Sequence, residues 1–77
     1  MFARSFWQIS LRRRGEVKAR VVEVARMEAR EPALGEVIDV QLPDRSTIRA
    51  KIMHIVRLPP LDGDVRTLRF EVTTEEA

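Results

Sequence analysis

A chain of 77 residues is enough for one domain, and folding at that length buries only about 60–65% of the unfolded chain's surface, so its core must be well filled. It has no cysteine, which excludes disulfide and thiolate–metal staples, and no apolar run near the roughly 20 residues that cross a bilayer as a helix. Fourteen basic against twelve acidic side chains leave a net charge of +2, a field too weak to argue for a polyanionic partner even with a sequence pI of about 9.9.

Trp7, Ile9 and Leu11 alternate with Gln8 and Ser10, the two-residue period of a strand with one buried face. The run RRRGE (12–16) reads as a turn. Residues 17–27, VKARVVEVARM, recur as IRAKIMHIVRL at 48–58, an offset of 31 that sets Val17 on Ile48, Ala19 on Ala50, Val21 on Ile52, Val22 on Met53 and Val24 on Ile55. The same offset sets Ile9 and Leu11 on Val40 and Leu42. Each copy therefore reads as strand, five-residue turn, strand, giving repeated hairpins at about 5–27 and 36–58 with REPALG (30–35) as the break between them. PDRST (43–47) is the second turn, and LPPLDGD (58–64) is a loop because adjacent prolines donate no ladder hydrogen bonds. VRTLRFEVTT (65–74) is a fifth strand with Leu68, Phe70 and Val72 on one side, after which the acidic end is expected to fray.

These elements predict a single all-β domain, a small, partly closed five-stranded barrel of SH3-like or OB-like size, built from a repeated hairpin plus a C-terminal strand. Symmetric turns would set Leu11 opposite Val17 and Leu42 opposite Ile48. The core face then collects Trp7, Ile9, Leu11, Val17, Ala19 and Val21 from one hairpin, and Ile38, Val40, Leu42, Ile48, Ala50 and Ile52 from the other. A helical alternative covers 16–30, where Glu16 and Arg20 share a helix face, but the valines and the match to a segment ending in two prolines favour strand. A short helical turn near 27–31 reconciles the helix-favouring MEARE with that reading.

Little in the chain points to catalysis or cofactor chemistry. His54 is the lone candidate base, placed by the symmetric register opposite Glu36, with Ser5 opposite Glu23 in the first copy; a triad needs more. One histidine among scattered carboxylates offers no metal spacing, and Gly15, Gly35 and Gly63 sit in turns and form no phosphate loop. The expectation is no enzyme, no metal, no cofactor, no small-molecule substrate and no membrane association. Without a signal-like apolar segment at its start, the chain is expected to be cytoplasmic.

Two surfaces remain as candidates. Arg12, Arg13, Arg14, Lys18 and Arg20 cluster at the first turn, where five unpaired cations on a small barrel suit a nucleic-acid backbone, or merely solvate an outer sheet face. Stacking platforms for bases are scarce, since Phe2 and Phe6 are the only rings not assigned to the core. Farther along the strands, Phe6 falls opposite Val22 and Val37 opposite Met53, followed by Val24 and Ile55, all apolar and on the nominally outer face. Either bulges near Val21–Val22 and Ile52–Met53 turn these residues inward or beneath Phe2, Leu34 and Leu61, or they form an interface with a protein partner, a homodimer being the simplest case. The leading expectation is a protein-interaction or assembly module, the alternative a nucleic-acid-binding barrel.

Overall fold

The computed structural model describes residues 4–28, 30–64 and 66–77, and among them it contains five strands and no helix. They are β1 (Arg4–Arg12), β2 (Arg20–Glu28), β3 (Val37–Gln41), β4 (Thr47–Leu58) and β5 (Thr67–Glu76), hydrogen-bonded in the order β2-β1-β5-β4-β3. Every neighbouring pair is antiparallel except β1 and β5. The exception follows from counting. A meander reverses direction at each turn, so with an odd number of strands the first and last run the same way, and the ladder that curls the sheet by joining them is parallel. The result is a half-barrel whose edges, β2 and β3, face each other across an open seam.

The inner face is largely the expected one. Trp7, Ile9, Leu11, Val40, Ala50, Ile52, Leu68, Phe70 and Val72 are buried, and Ile38, Leu42 and Ile48 pack against them. Removing each larger side chain from water contributes roughly 1.5–3 kcal/mol, which is how a short chain sustains a fold without covalent staples. The buried hydroxyls are satisfied: Ser5 Oγ donates to the Glu28 carbonyl at 3.1 Å and Thr74 Oγ1 to the Ser10 carbonyl at 2.9 Å. Trp7 Nε1 donates to the Arg30 carbonyl at 3.3 Å while the Arg30 guanidinium lies 5.4 Å from the ring centre and pairs with Glu36, fastening the β2–β3 connection over the core.

The two hairpins differ in a way the repeat conceals. In the second, Leu42 N donates to the Ser46 carbonyl at 2.8 Å, closing a three-residue turn at 43–45 with Arg45 at φ 71°. Val40, not Leu42, therefore lies opposite Ile48. The slip is two residues, which leaves every side chain on its expected face. In the first hairpin the connection is residues 13–19 and Leu11 lies opposite Arg20, not Val17. That slip is odd and reverses the faces. Val17 is 88% exposed and Val21 56% exposed, and Ala19 is only half-buried in the connection, so none of the three joins the core.

Bulges do occur where the second reading placed them. Val22 is the extra residue in β2 and Met53 the extra residue in β4, again related by the offset of 31. They turn Val22 and Ile55 toward the core. Because the two copies are out of phase, however, Ile52 and Ile55 point inward while their equivalents Val21 and Val24 point outward. Three further expectations are overturned. Neither the helix over 16–30 nor the turn near 27–31 forms: β2 continues to Glu28 opposite Arg4, held by its ladder to β1, and Ala29 lies outside the described residues. The C-terminal end does not fray, since β5 pairs through Glu76 and Ala77 N donates to the Arg49 carbonyl at 2.9 Å. Val65, taken as the start of the fifth strand, lies outside the described residues, and that strand begins at Thr67.

Candidate binding surfaces

Cross-strand partners share a face, so the registers lay out the outer surface as rows. One row reads Arg26–Phe6–Arg69–Leu58 and the next Val24–Gln8–Glu71–Val56. Together with Leu61 from the β4–β5 loop, Phe6, Val24 and Leu58 line a groove of about 310 Å³ with Gln8 and Arg69 in it. Arg26 lies over the Phe6 ring at 5.6 Å from its centre, a favourable cation–π placement. Arg69 Nη1 donates to the Pro59 carbonyl at 3.0 Å, which ties the loop wall to the sheet. Val24 is 62% exposed, as its sequence equivalent Ile55 is not.

The candidate interface residues are therefore divided. Phe6 and Val24 lie on this groove; Val22 and Ile55 pack against the core and leave the interface set. Val37 and Met53 are exposed, but Val37 sits opposite Lys51 at the far edge, away from the groove. Phe2 lies outside the described residues. The sequence missed Val56, Leu58 and Arg69, because it read no bulge into β4 with confidence in the register beyond it. Pairing Leu58 with the fifth strand would have exposed them.

The basic end is less free than the sequence suggests. Arg12 stands directly opposite Glu75 and forms an ion pair with it, so the cluster is not five unpaired cations. The Arg13 and Arg14 amides donate to carboxylate oxygens of Glu16 and Glu76, each at 3.3 Å. These acids belong to the same loop and to the strand that the sequence left frayed. A shallow pocket here is bounded by Arg12, Arg13 and Arg14 but also by Glu16, Glu75 and Glu76, which cancels the field that a phosphate chain requires. Among the described residues, the side chains of Arg13, Arg14, Lys18 and Arg20 make no ion pair.

The seam forms a third surface. Only a side chain crosses it in the bonds observed among the described residues: Gln41 N donates to Glu23 Oε2 at 3.0 Å. A groove of about 300 Å³ opens at one end, floored by Leu11, Val22 and Leu42 and flanked by Arg13, Arg20 and Asp44. The Asp44 carboxyl is held below its ordinary value chiefly by the Ser46 hydroxyl and amide, and that of Asp64 chiefly by Thr67, with the Arg66 amide assisting. Both aspartates brace turns.

His54 is exposed opposite Thr73 on the outer face, not opposite Glu36, and Ser5 is buried opposite Met27, not Glu23. The proposed pairings fail because the bulge at Met53 and the slip in the first hairpin shift both registers. Among the described residues no three histidine or acidic side chains are grouped as metal ligands would be, and no helix is long and apolar enough to cross a membrane. Compared with protein-family models, curated proteins and solved structures, the chain matches none.

Proposed function

We propose that this chain is a non-catalytic assembly module that associates with a second copy of itself through the outer face of β2, β1, β5 and β4. The observation that carries the reading is the pair Val21 and Val24, outward and exposed on β2 although they match the inward Ile52 and Ile55 of β4. A strand apolar on both faces is stable in water only when something covers the second face.

Charge favours a second copy as the cover. A two-fold contact is isologous, so the patch must complement itself. This face carries Arg26 and Arg69 beside Glu71, with apolar groups on both flanks, Val24 and Phe6 on one and Leu58 and Leu61 on the other. A two-fold rotation brings Glu71 of one copy toward Arg69 of the other and sets the two flanks against each other. A nucleic-acid contact at the first turn has less support, since Glu75 occupies Arg12 and Glu76 borders the same loop.

Sedimentation equilibrium over about two decades of concentration tests the reading. The expected result is a reversible dimer that Val24→Asp converts to a folded monomer. A wild-type monomer throughout, or a dimer indifferent to Val24→Asp, overturns it.

A further inference from the structure

The edge of β3 that faces the seam has a regular set of backbone groups. Ile52 N donates to the Glu36 carbonyl and Leu42 N to the Ser46 carbonyl, each at 2.8 Å, so in this antiparallel ladder alternate residues 36, 38, 40 and 42 face β4. Val37, Asp39 and Gln41 direct their amides and carbonyls the other way. No backbone bond joins β3 to β2 among the described residues. Neighbouring strands lie about 4.8 Å apart, close enough for carbonyl and amide to meet directly. Here a whole glutamate side chain is interposed, and Glu23 Oε2 takes the Gln41 N–H in the position that the carbonyl of a missing strand would occupy.

The groove at the end of the seam indicates what that strand carries. Its floor of Leu11, Val22 and Leu42 accepts an apolar side chain, and Arg20 stands at its rim opposite Leu11. The rim acids already have donors: Glu16 takes the Arg13 amide and Asp44 takes the hydroxyl and amide of Ser46. Arg20 makes no ion pair among the described residues. The seam thus presents open backbone rungs, an apolar slot and an uncommitted guanidinium. We infer that the β2–β3 seam is a strand-acceptor site for an extended protein segment that alternates apolar and acidic residues, with Glu23 as a displaceable plug. The inserted strand would have one parallel and one antiparallel neighbour, the arrangement β5 already has between β1 and β4. The site is separate from the outer face and does not depend on self-association.

The probe is a synthetic, end-blocked peptide of alternating valine and glutamate, titrated into the isotope-labelled full chain and followed by amide NMR and hydrogen exchange, with the matching valine–lysine peptide as control. The glutamate peptide is expected to shift the amides of Val37, Asp39 and Gln41 and slow their exchange at saturation. Arg20→Gln should weaken binding by about tenfold or more, through loss of a charge-assisted bond, and Glu23→Ala should strengthen it by removing the competing carboxylate. Val24→Asp should leave the affinity unchanged, which separates this result from the fate of the dimer. The inference is overturned if those three amides do not respond at millimolar peptide, if the lysine peptide binds equally well, or if Glu23→Ala weakens binding in a protein whose amide spectrum remains folded.

Discussion

Truncating one residue in each copy of the repeat, Val21→Ala and Ile52→Ala, separates the observed register from the symmetric one. The two positions match at the offset of 31, and equivalent hairpins would make the two costs similar. In the structure Ile52 is 1% exposed and faces the core, whereas Val21 is 56% exposed on the outer face. Replacing Ile52 by Ala removes three carbon centres at about 0.8 kcal/mol each, and the cavity left behind raises the total to about 3–4 kcal/mol. Val21→Ala removes two, less than half covered, for a loss below about 0.7 kcal/mol. A domain of this size has a total stability of roughly 4–12 kcal/mol, so the larger loss is readily measured. Urea unfolding of both variants, at concentrations where the chain is monomeric and with the m-value checked for constancy, reads the difference directly. If Ile52→Ala does not fold, Ile52→Val, expected to cost about 0.5–1.5 kcal/mol, serves in its place. Equal losses at positions 21 and 52 would refute the out-of-phase arrangement, and with it the reason for an apolar outer face on β2.

Ala50→Phe should overpack the core and cost about 1–3 kcal/mol in the same assay, while Ala19→Phe, in the first connection, should be nearly neutral. Arg45→Gly should stabilise by up to about 1 kcal/mol, because relief of the left-handed conformation at φ 71° outweighs the added chain entropy of glycine. Asp44 and Asp64 have folded carboxyls depressed below their unfolded values, so the stability they contribute is complete above the ordinary carboxylate range and is lost as pH falls through the folded values. Urea midpoints measured from neutrality downward should show a smaller acid loss in Asp44→Asn than in the wild type. At the proposed interface, Glu71→Arg and Arg69→Glu should each weaken self-association through like-charge contact, and an equimolar mixture should associate as a mixed dimer detectable by sedimentation.

The inner face of β1, β3 and β5 was legible because strict alternation fixes a strand's face once its burial is known, as Trp7, Ile9 and Leu11 illustrate. The repeat also identified the bulge sites, since two adjacent apolar residues in each copy cannot both follow the pleat. Register in the first hairpin was not legible. It depends on a connection of residues 13–19, longer than its counterpart at 43–45, and nothing in RRRGE limits the turn to five residues. One odd slip was enough to move Val17, Ala19 and Val21 out of the predicted core. The state of the basic cluster was illegible for a different reason. Arg12 meets Glu75 only because β1 and β5, at opposite ends of the chain, form the parallel pair. A reading confined to hairpins cannot find that contact.

Isotope-filtered NMR on a sample mixing labelled and unlabelled chains tests the proposed interface most directly, because it records only contacts between copies. The account predicts intermolecular contacts from the Val24 and Leu58 methyl groups, to Leu61 and Phe6 of the other copy. Intermolecular contacts confined to the β3 edge or to the Arg13–Arg20 end, or none at concentrations far above those used for sedimentation, would contradict it.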